Sequence, residues 1–443
     1  MIRFGLLIGT CFLYLVHELF PVPVLHSVFL LACTFVFLAF YTDLKKRGKI
    51  VTGLLFSTGL LLHFYQGDRG VELLAGINQN MAILSIIILA PLISIPLKQE
   101  GLLGVVTDRL KEQKNNARST FYSVGTFTMI LAPILNMGAL RIVDGIVSKL
   151  RLPPKVLSSS YYNAVAPAFI WSPFYASVGT VLFMTDMPYT SFMLIGIGFA
   201  AVQILAGSII LRPKKNGPAK NEEGKQVSDE ARKKLIKLIS FIILLLIALI
   251  LEEAFTDQRM LFLVSVNCIA VPLLWALLRN KWKELKKELI HFKERSTKSS
   301  TEIGLFLSAG LFGNALVQTP FTEVVENVII WSSRSSILLL FIILIMFMLL
   351  MAMMGIHQIV VVPVIITILL SPNVDLSLSV IAFMCVFAWT LSASISPMNP
   401  LNVIISQCVG KDGFTVALKW NGKYFLSITG IAFVYVYLLS FIA

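Results

Sequence analysis

The chain has 443 residues, 57% of them hydrophobic and only 14% charged, with a mean hydropathy of +0.83. That balance excludes a soluble globular enzyme and points to an all-α polytopic membrane protein. The net charge of +13 does not indicate nucleic acid, because the basic residues gather in short segments between apolar runs.

About 20 apolar residues suffice to cross the hydrocarbon core as a helix. In chain order, about 11 transmembrane helices are expected, near 4–20, 24–42, 50–66, 80–97, 157–184, 188–210, 237–254, 260–278, 303–319, 376–406 and 424–442. Arg3 leads into two spanning runs with no small-residue cleavage site between them, so the amino end is read as structure and not as a secretory leader. Cys11, Cys33, Cys268, Cys385 and Cys408 are scattered without a CxxC or Cys/His cluster, and read as small buried residues.

Two further apolar stretches, 119–147 and 335–370, decide the topology. Treated as re-entrant hairpins, with the amino end inside, they leave all 24 lysines on the cytoplasmic side and only Arg69, Arg259 and Arg334 among basic residues outside. Treated as full crossings, 119–147 would carry Lys149, Arg151 and Lys155 outward, against the positive-inside rule. The expected organisation is an opening helix over 1–23, a first repeat over 24–211, a cytoplasmic linker over 212–236 and a second repeat over 237–443. The carboxyl end then lies outside a cytoplasmic (inner) membrane. An odd number of crossings separates equivalent elements, so the repeat is inverted. Residues 279–298 read as an amphipathic helix on the inner leaflet or, equally, as a charged solvated one.

Each repeat contains one interrupted helix, over 157–184 and 376–406. Ser172-Pro173 and Ser396-Pro397 lie inside apolar runs, where a proline removes a backbone donor and clashes with the preceding turn. Unwound backbone at membrane depth must be buried in protein or face a cavity, so paired breaks point to a transport site. Candidate ligands for a solute or ion are Asn136 and Gly138 in the first hairpin, and Ser172, Pro173 and Ser177 at the first break. The second half offers Gly355, His357 and Gln358 in its hairpin, and Ser394, Ser396, Pro397, Asn399 and Asn402 at its break. Half-helix ends attract ions through their unpaired amides and carbonyls, and hydroxyls and amides complete such a site; the same side chains also satisfy backbone groups that a proline frees. An imidazole can titrate near neutral pH, so His357 is a candidate proton-coupling group or solute donor, and equally a simple cap. Arg141 and Asp144, three apart, are expected to form an ion pair. Asn314, in a run of small residues, and the methionines from Met346 to Met354 read as packing surfaces.

At these residues the chain resembles the ion transporter superfamily, and in layout the divalent anion:sodium symporter family. Met354-Gly355-Ile356-His357-Gln358 followed by Val362-Pro363 is similar to that family's outer hairpin tip, Ser394-Ile395-Ser396-Pro397-Met398-Asn399 to its second break, and Thr128 to Asp144 to its inner hairpin. The resemblance implies a homodimer in which a transport domain of hairpins and broken helices slides against a fixed scaffold. The family's Ser-Asn-Thr tip motifs are absent; Leu-Asn-Met-Gly and Gly-Ile-His-Gln stand there, with Asn136 alone in register.

The function read from this is secondary active transport of a small anionic solute by an elevator-type mechanism, with coupling to sodium or protons open. Its partners are the solute and the lipid bilayer. No cofactor, catalytic residue or metal site is assigned, and sodium at the tips is left without named ligands. No GxxxxGK[ST] motif supports ATP-driven transport. The alternative is a transporter or flippase of a lipid or lipid-linked precursor. A membrane-embedded lipid-linked glycosyl transferase or polymerase is disfavoured, because the outside loops carry no acid-rich motif.

Overall fold

The structure is a computed structural model and describes residues 2–102, 117–148, 152–213, 229–256, 258–317 and 319–442. Most of the linker expected over 212–236 lies outside the described residues, as do Lys149 and Arg151 of the orientation argument. All regular structure among the described residues is helical.

The first half opens with α1 (Ile2–Leu19), α2 (Pro23–Tyr41), α3 (Lys46–Gln66) and α4 (Met81–Gln99). It continues with a hairpin of α5 (Ala117–Leu135) and α6 (Gly138–Val147), a broken helix of α7 (Pro154–Trp171) and α8 (Ala176–Thr185), and α9 (Tyr189–Ile210). The second half has α10 (Asp229–Thr256), α11 (Met260–Leu278), α12 (Trp282–Ser296) and α13 (Ser300–Val317), then α14 (Pro320–Ser335). A second hairpin, α15 (Ile337–Met353) and α16 (Gln358–Leu369), precedes the broken helix α17 (Leu378–Ile395) and α18 (Pro400–Val409), and α19 (Asn421–Ile442) closes the chain.

Nine spans among the described residues are long and apolar enough to cross a membrane. Helices α3 and α13, of 21 and 18 residues, also have spanning length, and with the nine they make up the eleven spans expected. Both carry polar residues, Lys46, Lys49 and His63 in α3 and Glu302, Ser308 and Asn314 in α13. These two helices lie against each other, so their polar and small residues meet protein instead of lipid. Helix α14 was not anticipated, although its signals were present: Pro320 at the first position, Glu323 in the first turn and Arg334 in the last suit its dipole.

Most contacts fall within two bundles, α1–α4 with α10–α13, and α5–α9 with α15–α19, which meet chiefly where α13 packs on α16, with α14 passing between them. Within the second bundle the halves are exchanged. Helix α8 packs on α16 and α17 of the other half, and α18 packs on α6 and α7. The same relation recurs in the first bundle, where α3 packs on α13 and α11 on α4. A broken helix is nearly all buried: 89% of the apolar window in 154–185 and 83% in 378–409, against 28% for α9. The interrupted elements therefore form the centre, where unpaired backbone can be satisfied by protein.

Candidate functional site: two hairpin tips on two breaks

Proline dictates the geometry of both breaks. The residue before a proline is pushed out of the helical region, and Ser172 (φ −76°, ψ 129°) and Ser396 (φ −66°, ψ 126°) end α7 and α17 in extended backbone. Each serine hydroxyl then makes the same two bonds. Ser172 Oγ donates to the Pro133 carbonyl near the end of α5 at 2.5 Å and accepts the Phe174 N–H at 3.3 Å. Ser396 Oγ donates to the Ala352 carbonyl near the end of α15 at 2.7 Å and accepts the Met398 N–H at 3.2 Å. A hairpin arm is thus pinned to a break in each half by one buried hydroxyl.

The tips are built from different residues. Asn136 turns the first tip with φ 52°, a left-handed conformation that asparagine tolerates better than most residues. Its Nδ2 donates to the Phe174 carbonyl at 3.1 Å, and its Oδ1 accepts the Met137 N–H at 2.6 Å. Gly138 starts α6 directly after it. In the second tip Gly355 (φ 88°) makes the turn and His357 caps α16, with Nδ1 accepting the Ile359 N–H at 3.2 Å. That bond leaves the imidazole proton on Nε2, between the rings of Phe306 and Trp389. Gln358 donates to Ser392 Oγ at 2.8 Å and accepts from Asn399 Nδ2 at 2.7 Å, tying the tip to both pieces of the broken helix.

Three further candidate ligands also donate to backbone carbonyls. Ser177 Oγ donates to the Phe169 carbonyl, Ser394 Oγ to the Thr390 carbonyl, and Asn402 Nδ2 to the carbonyls of Ile395 and Gly413. They satisfy acceptors at and near the interruptions, which is why polar residues survive in such runs. The pair expected between Arg141 and Asp144 is also corrected: Asp144 takes the Tyr161 hydroxyl at 3.4 Å, while Arg141 is exposed and forms no salt bridge among the described residues.

Tyr162 was missed. Fully buried, it donates to the Ser394 carbonyl at 3.1 Å and so links the two broken helices across the repeat. Its signal was the polar run Ser158 to Asn163 inside a segment otherwise apolar enough to span.

Two cavities approach the breaks. One, of about 390 Å³, runs from Pro173 along α8 to Asp186, Glu253 and Arg259. The other, of about 340 Å³, runs from Pro397 along α18 to Lys411 and Asp412. Both follow the second piece of a broken helix from its proline to its far end. Around the first, polar bonds join the bundles: Arg259 pairs with Asp186 at 3.4 Å and covers the Phe183 ring at 4.6 Å, and Glu253 accepts the N–H groups of Tyr189 and Thr190 at 2.8 and 3.0 Å. At the second mouth, backbone N–H bonding at Thr415 holds the Asp412 carboxyl below its usual range. No cluster of three metal-ligating side chains occurs among the described residues.

No family model and no curated protein matches the sequence. Among solved structures the chain is similar to Neisseria gonorrhoeae MtrF, described as illuminating a class of antimetabolite efflux pumps, with a TM-score of 0.53, 14% identity and 81% of each chain covered. The chain shares its fold with a membrane efflux pump. At that identity the likeness concerns architecture, and the site must be argued from its own residues.

The first tip carries a separable test. Asn136→Gly keeps the left-handed turn and loses the bond to Phe174, costing about 1 kcal/mol. Asn136→Ala loses both and is expected to cost about 1 kcal/mol more. Thermal unfolding in detergent should therefore rank the chains wild type, glycine variant, alanine variant; a glycine variant no better than alanine would remove the role given to the backbone.

Proposed function

We propose that this chain is a secondary active transporter of a small anionic solute, held where the hairpin tips meet the breaks and moved by displacement of the second bundle against the first. The observation that carries this reading is the duplicated serine bond at Ser172 and Ser396, which fixes a hairpin to an interrupted helix in each half. Apart from His357, the tips and breaks are uncharged, so recognition falls to backbone amides and neutral side chains. Helices α8 and α18 begin there without side-chain caps, leaving amide donors that favour negative charge. Two cavities reaching different prolines supply separate routes of access. The class exemplified by MtrF exports antimetabolites, which supports a small organic cargo. The orientation argued from lysine places the amino end inside an inner membrane. Coupling is by sodium or by protons.

The test is a thermal-shift screen of organic and inorganic anions on the purified chain, with sodium present or replaced by choline. A stabilising anion whose effect is lost in Ser396→Ala supports the site, and dependence on sodium identifies the coupling ion. Stabilisation indifferent to Ser172→Ala, Ser396→Ala and Gln358→Leu would place the solute elsewhere.

A further inference from the structure

Helix α12 lies outside the transport site and presents a surface of its own. It joins α11, ending at Leu278, to α13, starting at Ser300, and packs on α11 and the end of α4. Its inner stripe is fixed. Leu285, Phe292 and Ser296 are buried, the Phe292 ring meets Phe4 of α1 at 5.9 Å, and Glu288 takes Lys98 Nζ at 2.7 Å. The helix is thus held across the ends of three spans, which places it along the membrane face.

Its free surface is divided. At 3.6 residues per turn, Glu284, Lys287, His291 and Arg295 fall on one flank, while Trp282, Lys286, Leu289, Ile290 and Lys293 fall on the other. On that second flank Trp282, Leu289 and Ile290 are 42%, 39% and 61% exposed, although nothing in the bundle covers them. Lys286 and Lys293 stand among them with no acidic partner among the described residues. An indole and two aliphatic side chains interleaved with unpaired ammonium groups suit the boundary between acyl chains and headgroups, where the rings and stems lie inward and the charges meet phosphate.

We propose that this flank of α12 seats the anionic phospholipids of the membrane face it lies on, with Lys286 and Lys293 on their phosphates. A basic group near a charged bilayer surface contributes about a fivefold preference, so the two together contribute roughly 30-fold. The surface does not depend on what the transport site carries, and the proposal stands or falls separately from that reading.

The full chain carrying Cys408→Ser and Ile290→Cys is labelled with an environment-sensitive dye; the remaining cysteines are buried. It is reconstituted in vesicles of phosphatidylcholine, alone or mixed with phosphatidylglycerol. The dye emission is expected to shift blue in the mixed vesicles, to lose that shift when Lys286→Gln and Lys293→Gln are combined, and to keep it with arginine at both positions. Inorganic phosphate added to phosphatidylcholine vesicles should produce none of it. Equal emission in both vesicles, a shift that survives the double glutamine variant, or one that free phosphate reproduces would overturn the proposal. Unchanged thermal unfolding of the variants shows that the fold is intact.

Discussion

Gln358→Leu is expected to reduce transport by roughly 30-fold and to destabilise the chain by about 2 kcal/mol. Gln358 is 1% exposed and is the side chain through which the second tip holds both pieces of the broken helix, Ser392 in α17 and Asn399 at the start of α18. Leucine fills the space without replacing either bond. Ser392 retains its bond to the Trp389 carbonyl, but Asn399 Nδ2 loses its acceptor, and an unpaired buried amide costs about 1–3 kcal/mol. The same energy spent on misplacing a tip at the moment of solute binding corresponds to the expected loss in rate. Flux of a screened anion into vesicles measures the first effect and thermal unfolding the second. Gln358→Glu sharpens the result, because it keeps an acceptor for Asn399 while adding negative charge, so anion affinity should fall. Wild-type flux in the leucine variant would remove the tip from the site.

Gly310→Ala is expected to cost about 3 kcal/mol. A Cβ at Gly310 would lie 2.5 Å from the carbonyl oxygen of Gly76, and one at Gly76 would lie 2.2 Å from the Asn314 Cβ. Gly76 also has φ 84°, closed to most side chains. The obstacle is main chain, so no rotamer change relieves it, and overpacking of this kind costs about 1–3 kcal/mol or more. The contact is supported on either side by Asn80 Nδ2 on the Phe306 carbonyl and Gln66 Nε2 on the Ala315 carbonyl. Gly430→Ala is the control, because nothing lies within 4 Å of a Cβ there. Equal melting temperatures for the two variants would show that the close approach does not hold the first bundle together.

The all-α membrane fold was legible because its two strongest signals act locally. Apolar length marks a crossing, and Pro173 and Pro397 mark interruptions whatever surrounds them. The hairpins followed from where lysine was allowed to stand. What sequence could not supply was direction. A hydroxyl or amide near a proline reads the same whether it faces a solute or a carbonyl, and the fold turns Ser177, Ser394 and Asn402 to carbonyls. Contacts distant along the chain were equally hidden: Tyr162 with Ser394, and Arg259 with Asp186, depend on packing that no spacing encodes. Arg141 and Asp144 show the converse, where a favourable spacing yields to the neighbour that the fold provides. Helices α3 and α13 carry polar residues within spanning lengths, and each packs on the other.

The exchange of half-helices between repeats has a consequence for biogenesis. During synthesis, segment 176–185 emerges well before the residues of α16 and α17 that finally enclose it. Until those arrive, the face they cover can rest only on lipid or on the insertion machinery. The first copy is therefore unfinished at the ribosome until the second is nearly complete, and a nascent chain arrested between them would carry an open junction that a folded monomer never exposes.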